Sequence, residues 1–127
     1  MKQNHRPIYL DIPKLGSRMS ITAKISILHR VSGVLMFLAI PLVLFLLHKT
    51  LTDQTFYNQS CAILGLPVMK LIYLVLIWAV MHHVCAGIRF LFLDIEMGLE
   101  RATAQKTARL VLVVSLVLTA IMGVLIW

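Results

Sequence analysis

Three stretches without a formal charge, Val31–His48, Leu71–Ile88 and Leu110–Trp127, decide what this chain can fold into. Each has about eighteen residues, or roughly 27 Å as an α-helix at about 1.5 Å per residue. The hydrocarbon core of a bilayer is about 30 Å thick. A backbone in lipid must satisfy its own N–H and C=O groups, and a helix does so within one segment. The runs therefore predict an all-α integral membrane protein with three transmembrane helices. Composition agrees: of 127 residues, 60% are hydrophobic and 13% charged, about half the charge of a soluble domain.

The net charge of +7 would suit a nucleic-acid binder in a soluble chain, but here its placement reads as topology. Lys2, Arg6, Lys14, Arg18, Lys24 and Arg30 precede the first run, and Arg89, Arg101, Lys106 and Arg109 separate the second from the third. Only Lys49 and Lys70 flank the other connection. By the positive-inside rule the N-terminus and the second loop face the cytoplasm (or matrix) and the C-terminus emerges outside. Membrane lipid, not nucleic acid, is the expected surrounding.

The chain reads as one membrane-anchor domain over residues 1–127, with a cytoplasmic segment at 1–20 and spans at about 21–49, 68–93 and 108–127. Ser20 or Thr22 is placed to cap the first helix, and Pro41 interrupts its span. LDIEMGLERATAQK is expected as a short inner loop, and the third span looks like a packing and anchoring helix. The N-terminal segment is too polar for a signal peptide and, with Asp11 and little Ser, makes a poor transit peptide. A bacterial inner (cytoplasmic) membrane is expected rather than a mitochondrial one. Cys61 and Cys85 fall at different heights, which argues against a disulfide, and no Cys/His metal spacing is present.

Two polar sites interrupt the apolar pattern. Ser26, Arg30, Gly33 and Phe37 recur at helical spacing and share a face of the first helix. A guanidinium and a hydroxyl together suit a carbonyl-bearing or carboxylate-bearing ligand at the inner membrane edge. The alternative is that Arg30 snorkels to lipid phosphate and Ser26 bonds its own helix. His29 points elsewhere around the helix.

His82 and His83 lie deep in the second run, where ionisable groups are costly and functional by default. They are about 100° apart, so one at most faces a given site. His83 shares its face with Leu76, Ala79, Val80, Ala86, Gly87 and Phe90. The small residues clear space for a flat cofactor or for a neighbouring helix. A neutral imidazole in a dry pocket is also a good axial ligand for haem iron. By helical rise His83 should lie about 9 Å below Arg89. His29 should sit near the inner surface and His48 near the outer one, neither level with His83. A second histidine ligand would then come from another chain.

RPIYLDI at 6–12, SILHRVSGV at 26–34 and HVCAGIRFLFLD at 83–94 closely resemble the cytochrome b556 membrane-anchor subunits of succinate dehydrogenase, respiratory complex II. The resemblance covers nearly the whole chain. It implies a non-autonomous subunit of succinate:quinone oxidoreductase, with no catalytic residue of its own. It implies a haem b shared with a second hydrophobic anchor subunit, and docking of an iron–sulfur subunit and a flavoprotein subunit at the inner face. Residue by residue it implies quinone binding by Ser26 and Arg30, with ubiquinone as substrate. It also makes His83 the axial ligand of the haem iron and puts His29 and Arg30 near the haem propionates. His82 stands where some relatives have tyrosine, so no role is carried over to it, and Phe90 stands where relatives have a second histidine. The competing reading is a haem-free structural anchor; the apolar third helix gives a channel or transporter no support.

Overall fold

The computed structural model describes residues 12–126. Lys2, Arg6 and most of the RPIYLDI motif lie outside the described residues, as does Trp127. Among the described residues the chain is all helix: α1 (Ile12–Arg18), α2 (Ile21–Thr52), α3 (Gln54–Leu64), α4 (Pro67–Asp94) and α5 (Arg101–Ile126). Three of them, α2, α4 and α5, are long and apolar enough to cross a membrane.

Capping chemistry sets the boundaries. The Ser20 hydroxyl accepts from the Ala23 N–H at 3.4 Å, which starts α2. Asp53 ends that helix and begins the next. Its N–H donates to the Lys49 carbonyl, and its carboxylate accepts from the Thr55 and Phe56 N–H groups at 2.8 and 3.1 Å. The connection between α2 and α4 thus carries a helix of its own, α3. Pro67 occupies the first turn of α4, where its missing N–H costs nothing. Pro41 sits inside α2 without ending it.

The connection between α4 and α5 is shorter than the polar sequence implied. It turns between Asp94 and Arg101, through Glu96 at φ 62° and Gly98 at φ 78°. Gly98 takes that left-handed conformation without a Cβ penalty. The helix resumes at Arg101 because Ala102, Ala104, Gln105 and Lys106 are good helix formers, polar or not.

Helix α4 lies between α2 and α5, which touch each other less than either touches α4. Where the three meet, Ile25, Ala86, Ala108 and Val111 form the apolar core, flanked by Ile21, Cys85, Phe90 and Leu112. The interior is otherwise built from small and polar groups: Ala79, Ser32, His82, Arg89 and Ser115 are buried. The large apolar side chains point outward, among them Phe37, Leu51 and Val124 at 74, 77 and 80% exposure. In lipid there is no hydrophobic drive between helices, so close packing of small residues and hydrogen bonds take over.

Candidate functional site

Helix α4 presents its adjacent histidines to different neighbours. The roughly 100° between successive residues turns His83 toward α2 and His82 toward α5. Each then meets a serine.

On the α2 side, His83 Nδ1 lies 3.1 Å from the His29 carbonyl oxygen and 3.2 Å from Ser32 Oγ. The Ser32 hydroxyl donates to the same carbonyl at 2.8 Å. A carbonyl oxygen only accepts, so the contact requires a proton on His83 Nδ1. With Nδ1 protonated, a neutral His83 keeps its lone pair on Nε2. That atom has no hydrogen-bond partner among the described residues and is not sealed in, unlike His82 Nε2. The approach of the two helices is tight at Gly33, where a Cβ would lie 3.0 Å from His83 Cε1; at Gly87 a Cβ would make only ordinary contact, 3.6 Å from His29 Nε2. The small residues thus admit a neighbouring helix to the imidazole.

His29 is part of this contact, contrary to the depth reckoned from the charge pattern. Its ring stacks on that of His83 with centroids 4.1 Å apart and planes 14° apart, and Phe90 meets it edge-on at 5.1 Å. The error lies in the reference points. Arg30 and Arg89 do not mark one common level: Arg30 is exposed, whereas Arg89 is buried against α5. Rings stacked this closely leave no room for a macrocycle between them. His29 is therefore no opposite ligand to His83, though for a different reason than depth.

Ser26 and Arg30 do not converge on the histidines. Ser26 is half-buried and Arg30 exposed, and neither has a hydrogen-bond or ionic partner among the described residues. They flank the stripe of α2 that touches α4, with Phe37 still further exposed. Their donors are available near the N-terminal end of α2.

On the α5 side, His82 is wholly buried. Its Nδ1 lies 3.4 Å from Ser115 Oγ, which gives its own proton to the Leu112 carbonyl at 3.0 Å. Trp78 stacks on the ring at 5.3 Å. Arg89, placed among the inner-loop charges by sequence, is instead buried against α5. Its Nε donates to Thr107 Oγ1 at 3.1 Å and its Nη2 to the Ala104 carbonyl at 3.2 Å. A cavity of about 550 Å³ opens beside it, lined by Cys85, Phe92, Met97, Thr107 and Val111, and His83, Ser26 and Arg30 take no part in it. Ser32, Ser115 and the burial of Arg89 escaped sequence reasoning. The signal for Ser32 was present: it lies three residues after His29, within hydrogen-bonding reach of that residue's carbonyl along the helix.

Among the described residues no cluster of three or more His, Cys, Asp or Glu could hold a bare metal ion. A haem needs less, because its ring supplies the equatorial nitrogens and the protein only an axial donor. One imidazole with Nδ1–H held and Nε2 open fits that requirement. Cys61 is exposed and Cys85 half-buried, and both are free thiols.

Residues 2–122 match the family described as succinate dehydrogenase/fumarate reductase transmembrane subunit. The succinate dehydrogenase cytochrome b556 subunit of Coxiella burnetii is 34% identical over 123 residues, covering 96% of this chain and 97% of that one. The subunit of the same name from Rickettsia felis is 32% identical over 124 residues, 95% and 93% of the two chains. That of Rickettsia prowazekii is 31% identical over 105 residues, 82% and 81%.

Proposed function

We propose, on the premise that this chain belongs to the family of succinate dehydrogenase/fumarate reductase transmembrane subunits, that it binds haem b together with a second anchor subunit and helps form the site of ubiquinone reduction. The observation that carries this reading is the held Nδ1 and open Nε2 of His83. Through Nε2, His83 would hold the iron. A bound b-type haem supplies one-electron redox chemistry at that position. His29 stacks on His83 rather than opposing it, so a second histidine ligand would be supplied by the partner anchor subunit.

At the inner edge, Ser26 hydrogen-bonds one oxygen of the quinone ring while Arg30 donates from its planar fork. Arg30 stabilises the negative charge that develops on that oxygen as it is reduced. His29 and Arg30 would hold the haem propionates through hydrogen bonds and charge. The quinone's isoprenoid tail stays in lipid, along the outward-facing apolar surface of α2. With its N-terminus inside a bacterial inner membrane, the chain presents this edge to the iron–sulfur subunit, which receives electrons from the flavoprotein subunit. The arrangement makes the chain an essential part of an oxidoreductase without a catalytic domain of its own.

The test is a reduced-minus-oxidised absorption spectrum of the detergent-purified complex, for wild type and His83→Ala. A b-type band in wild type that disappears in the variant supports the assignment. A band unchanged by the substitution moves the ligand elsewhere. No band in wild type leaves a haem-free anchor.

A further inference from the structure

We propose that Ser32 is a positioning residue that sets how strongly the His83 imidazole donates through Nε2. The proposal rests on the reading of His83 as an axial ligand and adds to it a determinant on the neighbouring helix.

Three atoms form a closed triangle: the His29 carbonyl oxygen, Ser32 Oγ and His83 Nδ1, at 2.8, 3.1 and 3.2 Å. Only two protons are available for these three contacts, and the chemistry of each atom fixes where they sit. The carbonyl has none to give. The serine proton points at the carbonyl, where the contact is shortest. The imidazole proton therefore lies on Nδ1 and is shared between two acceptors, the carbonyl and the serine oxygen. The serine is wholly buried, so no water substitutes for it. Its orientation is fixed by its own helix, because donor and carbonyl belong to residues three apart on α2.

An acceptor on one imidazole nitrogen raises the basicity of the other, which is how outer groups tune a metal ligand. Two acceptors on Nδ1–H draw its proton further from the ring than one does. The Nε2 lone pair becomes a stronger donor and favours the more highly charged ferric state of a bound iron. Ser32 thus lowers the midpoint potential of the haem that His83 holds. The carbonyl of His29 is main chain and cannot be tuned by substitution, whereas the hydroxyl of Ser32 can. The two acceptors divide the work: the carbonyl fixes the tautomer and the hydroxyl adjusts donor strength.

The experiment is a potentiometric titration of the haem band in the purified complex, with haem content measured in parallel. It compares wild type, Ser32→Ala, Ser32→Cys, Ser32→Thr and His83→Ala. Ser32→Ala removes one acceptor and leaves the carbonyl, so the expected result is normal haem content with a more positive midpoint potential. Ser32→Thr keeps the hydroxyl and is expected to keep the wild-type potential. Ser32→Cys has nearly the same shape and a weaker acceptor, and is expected in between. If Ser32→Ala fails to assemble, the comparison of Cys with Thr decides the matter. A wild-type potential in Ser32→Ala overturns the proposal, as does one in Ser32→Cys when Ala does not assemble. An equal shift in Thr and Ala also overturns it, since the potential would then not follow the hydroxyl. His83→Ala separates the two layers. If it keeps the band, the ligand reading and this proposal both fail. If it loses the band while the serine variants leave the potential unmoved, the ligand reading stands and Ser32 has no part in tuning.

Discussion

The two sides of α4 use similar materials to opposite ends. Each pairs a histidine with a serine whose hydroxyl is anchored to its own helix, Ser32 on α2 and Ser115 on α5. On the α5 side the histidine is sealed, its ring covered by Trp78. Arg89 reinforces the same contact through Thr107 and Ala104. On the α2 side the histidine is only half-buried and keeps Nε2 open. A buried histidine with a hydrogen-bonded Nδ1 is therefore not enough to mark a ligand. What separates a ligand candidate from a packing residue here is an accessible second nitrogen, and that depends on which neighbour the ring faces.

The sharpest way to break this comparison is to exchange the losses. His83→Ala is expected to abolish the b-type band, whereas His82→Ala should keep the band and lower only thermal stability; the reverse pattern in difference spectra would invert the roles of the two sides. Next in size is Arg30→Lys, which keeps the charge but loses the fork. Losing a charge-assisted hydrogen bond worth about 1.5–3 kcal/mol should slow quinone reduction by about tenfold or more. Succinate oxidation with an artificial dye acceptor should change little, and unaltered quinone kinetics would count against Arg30. Gly33→Ala should lower haem content several-fold. Its Cβ would stand 3.0 Å from His83 Cε1, on a ring that the His29 carbonyl prevents from retreating; haem quantified per complex reads this out. The smallest effect belongs to the sealed side. Ser115→Ala leaves a buried Nδ1–H unpaired at a cost of about 1–3 kcal/mol, which should lower the denaturation midpoint by a few degrees with the spectrum intact.

The spans were legible because charge is expensive in lipid and its absence over eighteen residues has few other meanings. The divergence of His82 and His83 was legible too, since helical geometry alone separates neighbours by about 100°. The level of His29 relative to His83 was not. Relative depth read from the charge pattern puts Arg30 and Arg89 at one surface, whereas Arg89 is buried and Arg30 exposed. Arg89 misled for a related reason: a guanidinium beside a helix end reads as an interface anchor unless its partners are seen, and those partners, Thr107 and the Ala104 carbonyl, lie on another helix. Helix α3 was missed because QTFYNQSCAIL is short and largely polar, which reads as a loop, and because its start rests on the Asp53 cap.

The hydrogen bond from Ser32 to the His29 carbonyl has a further consequence, in the order of synthesis. Because α4 is the neighbour that α2 and α5 share, α2 enters the membrane before the helix that will pack against it has been made. During that interval a serine hydroxyl in lipid has no partner on another helix. The Ser32 hydroxyl bonds within α2 itself, so the nascent segment meets the hydrocarbon with that donor already satisfied. Only when α4 arrives does the oxygen's remaining lone pair find His83. The same bond that holds the finished site in register lets the first span wait for it.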